Sequence, residues 1–304
     1  MARATLYEPG QDTPYKMSRS KVEAFIRCPR CFVLEAKYGI KQPGGVPFTL
    51  NVAVDNLMKK EFDIHRQAKT VPQILKENGL DLIPFQHPDL EKWRHNFTGV
   101  QHTTSDNHFT IFGAVDDIWV DSKGVLYVVD YKATGRQQAV TQLGEGGFYD
   151  GYRRQLEIYQ WLLRKNGFEV SSTGYWVYVT ATQKEASFNN TLHFESNLVS
   201  YEGNSGWVDP KLEEIYLMLN EEVNPGPADD CDYCKYFDTR AIKTEELYDL
   251  IWPFCDKCNK RMSKAIYGLP SGQPPEGYVS MGCIVDTFGP DFVCTHCDNQ
   301  DGQG

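Results

Sequence analysis

The stretch GAVDDIWVDSKGVLYVVDYKATG, residues 113–135, governs how this chain is read. Its composition is that of two apolar β-strands joined by a tight turn. Asp116, Asp117, Asp130 and Lys132 nevertheless interrupt the apolar runs, where an unpartnered charge is costly. Side chains alternate faces along a strand, so Asp130 and Lys132 share a face with Leu126 and Val128. On the first strand Asp116 shares a face with Phe112, Ala114, Ile118 and Val120, while Asp117 points the other way. The turn sets the register. A two-residue turn places Val115 opposite Asp130 and turns Asp116 to the wrong face. A three-residue loop, Ser122-Lys123-Gly124, sets Asp116 opposite Asp130 and needs a left-handed residue third, where Gly124 stands. That register is the expected one, with Asp117 a bystander.

Two close carboxylates repel and raise each other's pKa unless a cation joins them. Oxygen ligands suit Mg²⁺ or Mn²⁺. A lysine beside such a metal positions or deprotonates a water and stabilises charge at phosphorus, while the metal polarises the phosphoryl group. The competing reading is a surface hairpin carrying a Lys–Asp pair worth little. Strongly apolar flanks and a second Asp in register favour the site.

Outward from the hairpin, residues 1–17 read as a loose leader. Ser20-Lys21-Val22-Glu23 fits a capping box, opening a helix that Pro29 interrupts near Cys28. A second helix runs through LNVAVDNLMKKEFDIHRQA (50–68), with Val52, Leu57, Phe62 and Ile64 among its apolar positions; Glu61, Asp63 and His65 are expected at the surface. A Gly-rich loop (143–151) precedes the amphipathic helix YRRQLEIYQWLLRKNG, ending at Gly167. Arg153, Arg154, Arg164 and Lys165 on it are candidates for phosphate contact, or simply a solvated face. Strands are expected at 173–182 and within NTLHFES (190–196), and a helix over 209–223. These elements imply an α/β domain over residues 18–240, followed by a small module over 241–304.

Gly113-Ala-Val-Asp116, a second strand ending Asp130-Tyr131-Lys132, and Gln155-x-x-x-Tyr159 on the next helix together resemble the PD-(D/E)XK nuclease superfamily. More narrowly, residues 18–235 are similar to the RecB-like nucleases that include the CRISPR-associated exonucleases. The resemblance implies a restriction-endonuclease-like core, a central mixed sheet flanked by helices, and metal-dependent hydrolysis of phosphodiesters. It implies that Asp116 and Asp130 bind the metal, that the Tyr131 carbonyl adds a ligand and that Lys132 serves the attacking water. Gln155 and Tyr159, one helical turn apart, would share the face toward the site. Where RecB-like members carry G-x-x-H, this chain has Val52-Ala-Val-Asp55, so Asp55 takes the histidine's place and hardens the ligand set.

The chain of 304 residues has nine cysteines, and eight form four C-x-x-C pairs. With no apolar signal core at the N-terminus, a cytoplasmic location is expected, and there such pairs read as metal ligation before disulfides. Cys28, Cys31, Cys231 and Cys234 make a 2+2 set compatible with a 4Fe–4S cluster or tetrahedral Zn²⁺. The family resemblance favours iron–sulfur, and either group would staple the first helix to the end of the domain. A dithiol redox motif at Cys28 is the minor alternative, since no strand precedes it. Cys255, Cys258, Cys294 and Cys297 resemble a zinc ribbon holding structural Zn²⁺, and about 60 residues need such a staple. Cys283 reads as a buried small hydrophobe.

A formal net charge of −10 argues against a general basic coat for nucleic acid. The final 64 residues carry five Lys/Arg against nine Asp/Glu, so basic charge is not their binding device. No apolar run reaches the roughly 18 residues of a membrane span. The resemblance implies a Mg²⁺- or Mn²⁺-dependent, exonuclease-like deoxyribonuclease of DNA processing, repair or phage/CRISPR-related defence. DNA of undecided strandedness is its partner, RNA a weaker one, and the C-terminal module could take a protein. The alternative is a non-catalytic nucleic-acid-binding or adaptor protein on the same scaffold.

Overall fold

The structure, a computed structural model, describes residues 5–45, 48–222, 224–251, 254–267, 273–274, 276, 278–280 and 292–297, without the side chains of 242–251. Cys283 lies outside the described residues. By internal contacts the chain divides into two compact units, residues 1–231 and 232–304. Among the described residues no helix is long and apolar enough to cross a membrane.

The first unit runs β1 (Tyr15–Ser18), α1 (Arg19–Arg27), α2 (Pro29–Tyr38), α3 (Thr49–Ala68), α4 (Gln73–Glu77), β2 (Ile83–Pro84), α5 (Leu90–Arg94) and β3 (Val100–Thr103). It continues through β4 (Phe109–Gly113), β5 (Asp117–Val120), β6 (Leu126–Thr134), α6 (Gly147–Lys165), β7 (Thr173–Ala181), β8 (Phe194–Glu202) and α7 (Val208–Asn220). A mixed five-stranded sheet has the order β2-β5-β6-β7-β8, with β6 and β7 parallel and joined through α6. A second sheet has the order β1-β4-β3. The second unit holds α8 (Asp232–Ile251) and the three strands β9 (Ser263–Ile266), β10 (Tyr278–Ser280) and β11 (Phe292–Val293), ordered β10-β9-β11.

Both faces of the large sheet are covered. Met58 and Phe62 of α3 pack with Trp119, Val129, Tyr131, Tyr175 and Val177, Phe62 lying parallel to Trp119 at 5.6 Å. On the other face Leu156, Tyr159 and Leu163 of α6, spaced three to four apart, join Ile118, Leu126, Val128 and Trp176. A strand buried on both sides must be apolar throughout, which is why the charges in β6 stand out. The α/β core expected from the sequence, a mixed sheet flanked by helices, is present.

The turn has the expected geometry. Asp117 pairs with Val129 and Val120 with Leu126. The Asp121 N–H donates to the Val125 carbonyl at 3.2 Å, leaving residues 122–124 as the loop, with Gly124 at φ +90°. Asp116 lies one residue before this ladder, its side chain accepting from the Tyr131 N–H next to Asp130.

Several expectations need correction. The first strand of the hairpin is not continuous: β4 ends at Gly113 in the smaller sheet and β5 begins at Asp117. Between them the Val115 N–H donates to the Trp93 carbonyl, so it is not available to a strand ladder. The leader is not loose either, since β1 pairs with β4 and Tyr7, Tyr15 and Met17 are buried. The cap of α1 is Ser18, whose hydroxyl accepts from Lys21 N–H, while Glu23 is drawn off to Arg154. On α3 only Phe62 of the four apolar positions is buried; Val52, Leu57 and Ile64 face solvent. The face turned to the sheet is instead Met58, Phe62 and Arg66. α6 starts five residues early, at Gly147, and β8 lies later than expected, at Phe194–Glu202.

Candidate active site

The centre is built on the end of β6. Asp130 is fully buried: its Oδ2 forms an ion pair with Lys132, and its Oδ1 accepts from Gln155 Nε2 at 2.8 Å. The same Gln155 amide donates to the Tyr159 hydroxyl at 3.1 Å, so both residues point from one face of α6 as their spacing requires. Tyr159 in turn lies on Gly113, where an added Cβ would come within 2.6 Å of its ring. The glycine of Gly113-Ala-Val-Asp116 thus has a packing reason. Asp116 Oδ2 accepts the Tyr131 N–H at 3.0 Å, fixing this carboxylate beside the β6 backbone.

From α3, Lys59 reaches Asp55 at 2.8 Å and Asp116 at 3.3 Å. Asp55 is therefore at the site but separated from Asp116 by an ammonium. The close ligand clusters among the described residues do not unite Asp55, Asp116 and Asp130. Lys59 was not anticipated, although its place four residues after Asp55 is a legible signal.

Asp117, read as a bystander, is fully buried on the opposite face of the sheet. It accepts from Arg66 at 2.6 Å, from Arg94 at 3.2 Å and from the Tyr131 hydroxyl at 2.7 Å. Arg94 also donates to the Asp116 carbonyl at 3.1 Å and to Asp63, which is thereby half-buried in the network and not a plain surface residue. Asp117, Arg66, Arg94 and the half-buried Asp63 form a charge network that holds the backbone at Asp116 through Arg94. Glu61 is exposed, and His65 hydrogen-bonds Thr70 away from the site.

The electrostatics follow from burial. Loss of water pushes the Asp130 carboxyl up to about 7; Lys132 pulls against this and Asp116 adds to it. Burial opposes the Lys132 ammonium, yet Asp130 and Asp116 hold it above the ordinary lysine value. Burial and then Asp116 raise Asp55 against the pull of Lys59. Burial also raises Tyr159, keeping its phenol neutral. Asp130 Oδ2 has no aligned hydrogen bond despite its burial. A buried carboxylate facing a second carboxylate, with Lys132 and Lys59 the only cations beside them among the described residues, offers the hard oxygen donors that suit a divalent cation.

The centre opens into a 400 Å³ cavity lined by Asp55, Asp116, Lys132 and Tyr152 among others. The basic residues of α6 are not free to meet phosphate there. Arg154 is held by Glu23, Arg153 by Asp150 and the Gly144 carbonyl, Lys165 by Asp209, and Arg164 by Ser205 and nearby carbonyls.

The cysteines gather into two sets, Cys28, Cys31, Cys231 and Cys234, and Cys255, Cys258, Cys294 and Cys297. Within each, all four Sγ atoms lie within 4.8 Å of one another, a spacing that can hold a metal. All eight are thiols rather than disulfides. Cys28 sits in the extended break between α1 and α2. Burial pushes its thiol up, but N–H donors near Ala228 and Cys31 and the neighbouring thiols bring it down to about 7. In the second unit Cys255 pairs with Cys297 and Cys258 with Cys294, each at 3.5 Å, beside the three-stranded sheet.

No curated protein matches the chain. Residues 16–238 match the family description of the PD-(D/E)XK nuclease superfamily, a span that holds the buried Asp130–Lys132 pair, Asp116 and the Gln155–Tyr159 helix. The chain belongs to the PD-(D/E)XK nuclease superfamily.

Proposed function

We propose that this protein is a RecB-like, exonuclease-type deoxyribonuclease whose centre is Asp116, Asp130 and Lys132. The observation that carries the reading is Asp130: a fully buried carboxylate, ion-paired to Lys132, with the Asp116 carboxylate held beside it by the Tyr131 N–H. Asp116 and Asp130, with the Tyr131 carbonyl and Asp55, would hold Mg²⁺ or Mn²⁺. When bound, such a cation polarises the phosphoryl oxygen and acidifies a coordinated water.

The remaining work falls to the chain's own groups. Lys132 keeps its proton beside two carboxylates, so it orients the attacking water and stabilises charge growing on the phosphoryl oxygens. Gln155 fixes the Asp130 carboxylate, and Tyr159 fixes the Gln155 amide. The water oxygen bonds to phosphorus and gives its proton to solvent, as the bond to the leaving deoxyribose oxygen breaks and that oxygen takes up a proton from solvent. Cys28, Cys31, Cys231 and Cys234 hold a 4Fe–4S cluster or Zn²⁺, and the C-terminal set holds structural Zn²⁺ in a zinc-ribbon-like module.

End-labelled single- and double-stranded DNA, incubated with Mg²⁺, Mn²⁺ or EDTA, tests this. Metal-dependent cleavage with a ladder growing from one end is expected. Binding without cleavage under both metals would overturn it in favour of the adaptor reading.

A further inference from the structure

Two cavities meet beside Lys132, sharing Phe48, Asn51, Lys132, Ala133 and Tyr152. One opens to Asp55 and Asp116. The other, of 240 Å³, leads away from the carboxylates to Arg136, Phe148, Tyr149 and Tyr178. Its walls are aromatic and wet: Phe48 is 77% exposed and Phe148 is 66% exposed. Phe48 and Phe148 belong to neither buried core, whereas Tyr178 is part of one and Tyr152 packs against it.

The aromatic wall is also organised. Phe148 meets Tyr152 edge-on at 4.6 Å, and Lys132 Nζ stands 4.6 Å over the Tyr152 ring. Arg136 donates to the Tyr149 hydroxyl at 3.1 Å, which sets a guanidinium at the rim. The groove thus joins exposed aromatic rings and the cations Arg136 and Lys132 to the carboxylate centre, while the basic residues of α6 are spent on internal partners. A duplex keeps its base faces stacked on one another and offers mainly phosphate, which this acidic chain is poorly equipped to hold. An unpaired strand offers the faces themselves.

We infer that this groove is a stacking subsite for unpaired nucleotides, with bases on Phe148 and Phe48 and the backbone led past Arg136 toward Lys132. The inference rests on the nuclease reading for its ligand class. Continuity with the carboxylate centre is what favours a nucleic-acid strand over an apolar peptide.

The test is fluorescence anisotropy of the full-length protein in EDTA, where hydrolysis does not intervene. The probes are a labelled single-stranded oligodeoxynucleotide, the same backbone with abasic positions, and a blunt duplex. Wild type is expected to prefer the base-bearing single strand to both others. Phe148→Ala should shrink its preference over the abasic strand by about tenfold, in line with loss of one base–aromatic contact. Phe148→Trp should retain it, and far-UV circular dichroism checks that both variants fold. Equal affinity for normal and abasic strands, or tighter binding of the duplex, would overturn the subsite even if metal-dependent cleavage is seen. Conversely, an aromatic-dependent preference in a protein that cuts nothing would keep the subsite and sink the nuclease reading.

Discussion

Asp130 is held between opposing demands: water is excluded from it, Lys132 favours its charge, and Asp116 disfavours it. Its folded pKa of about 7 lies above the ordinary value of about 3.9. Between these limits the folded, metal-free chain holds a proton that the unfolded chain has released. The contribution of Asp130 to stability is therefore full below pH 4 and is lost as pH rises through about 7. A divalent cation competes with that proton, so Mn²⁺ affinity measured by calorimetry should climb to about pH 7 and then level off, with proton uptake by buffer below it. Affinity flat across that range would contradict the site. The convergence of Asp116, Asp130 and Lys132 was legible because strand alternation and Gly124 leave one register that works. The role of Asp117 was not, because its partners Arg66 and Arg94 stand 51 and 23 residues away and no local pattern links them.

At the scale of elements, the hairpin is positioned by what grips its back. Asp117→Asn should leave two buried guanidinium groups poorly compensated and cost about 3–5 kcal/mol, measured by denaturant unfolding. It should also slow cleavage, because Arg94 anchors the Asp116 carbonyl. Gly113→Ala drives a methyl into the Tyr159 ring and should cost about 1–3 kcal/mol. A wild-type melting temperature in that variant would mean Tyr159 is free to retreat. The break between β4 and β5 could not be read from the sequence, since the apolar alternation runs through it; the carbonyl of Trp93 that captures Val115 comes from a distant helix. The apolar positions of α3 misled for a related reason. Val52, Leu57 and Ile64 suggest a stripe, but the sheet selects Met58, Phe62 and Arg66.

For the whole molecule, the eight described cysteines gather into two four-cysteine sets, each spaced to hold a metal. Their grouping was readable from four C-x-x-C spacings, whereas the identity of the bound metal is not written in spacing. Elemental analysis of anaerobically purified protein should find zinc at the C-terminal set. Cys255→Ser should make residues 232–304 the first region cut in limited proteolysis, while 16–231 resists. Equal resistance of both regions would show that the tail needs no metal.

If the hairpin forms the nuclease centre, single-turnover cleavage must depend on Lys132. End-labelled single-stranded DNA would be held at saturating protein with Mn²⁺, comparing wild type with Lys132→Ala, with EDTA as control. Metal-dependent cutting slowed by roughly a hundredfold or more in the variant, with DNA binding retained, is expected. Lys132→Ala cutting at the wild-type rate would contradict it.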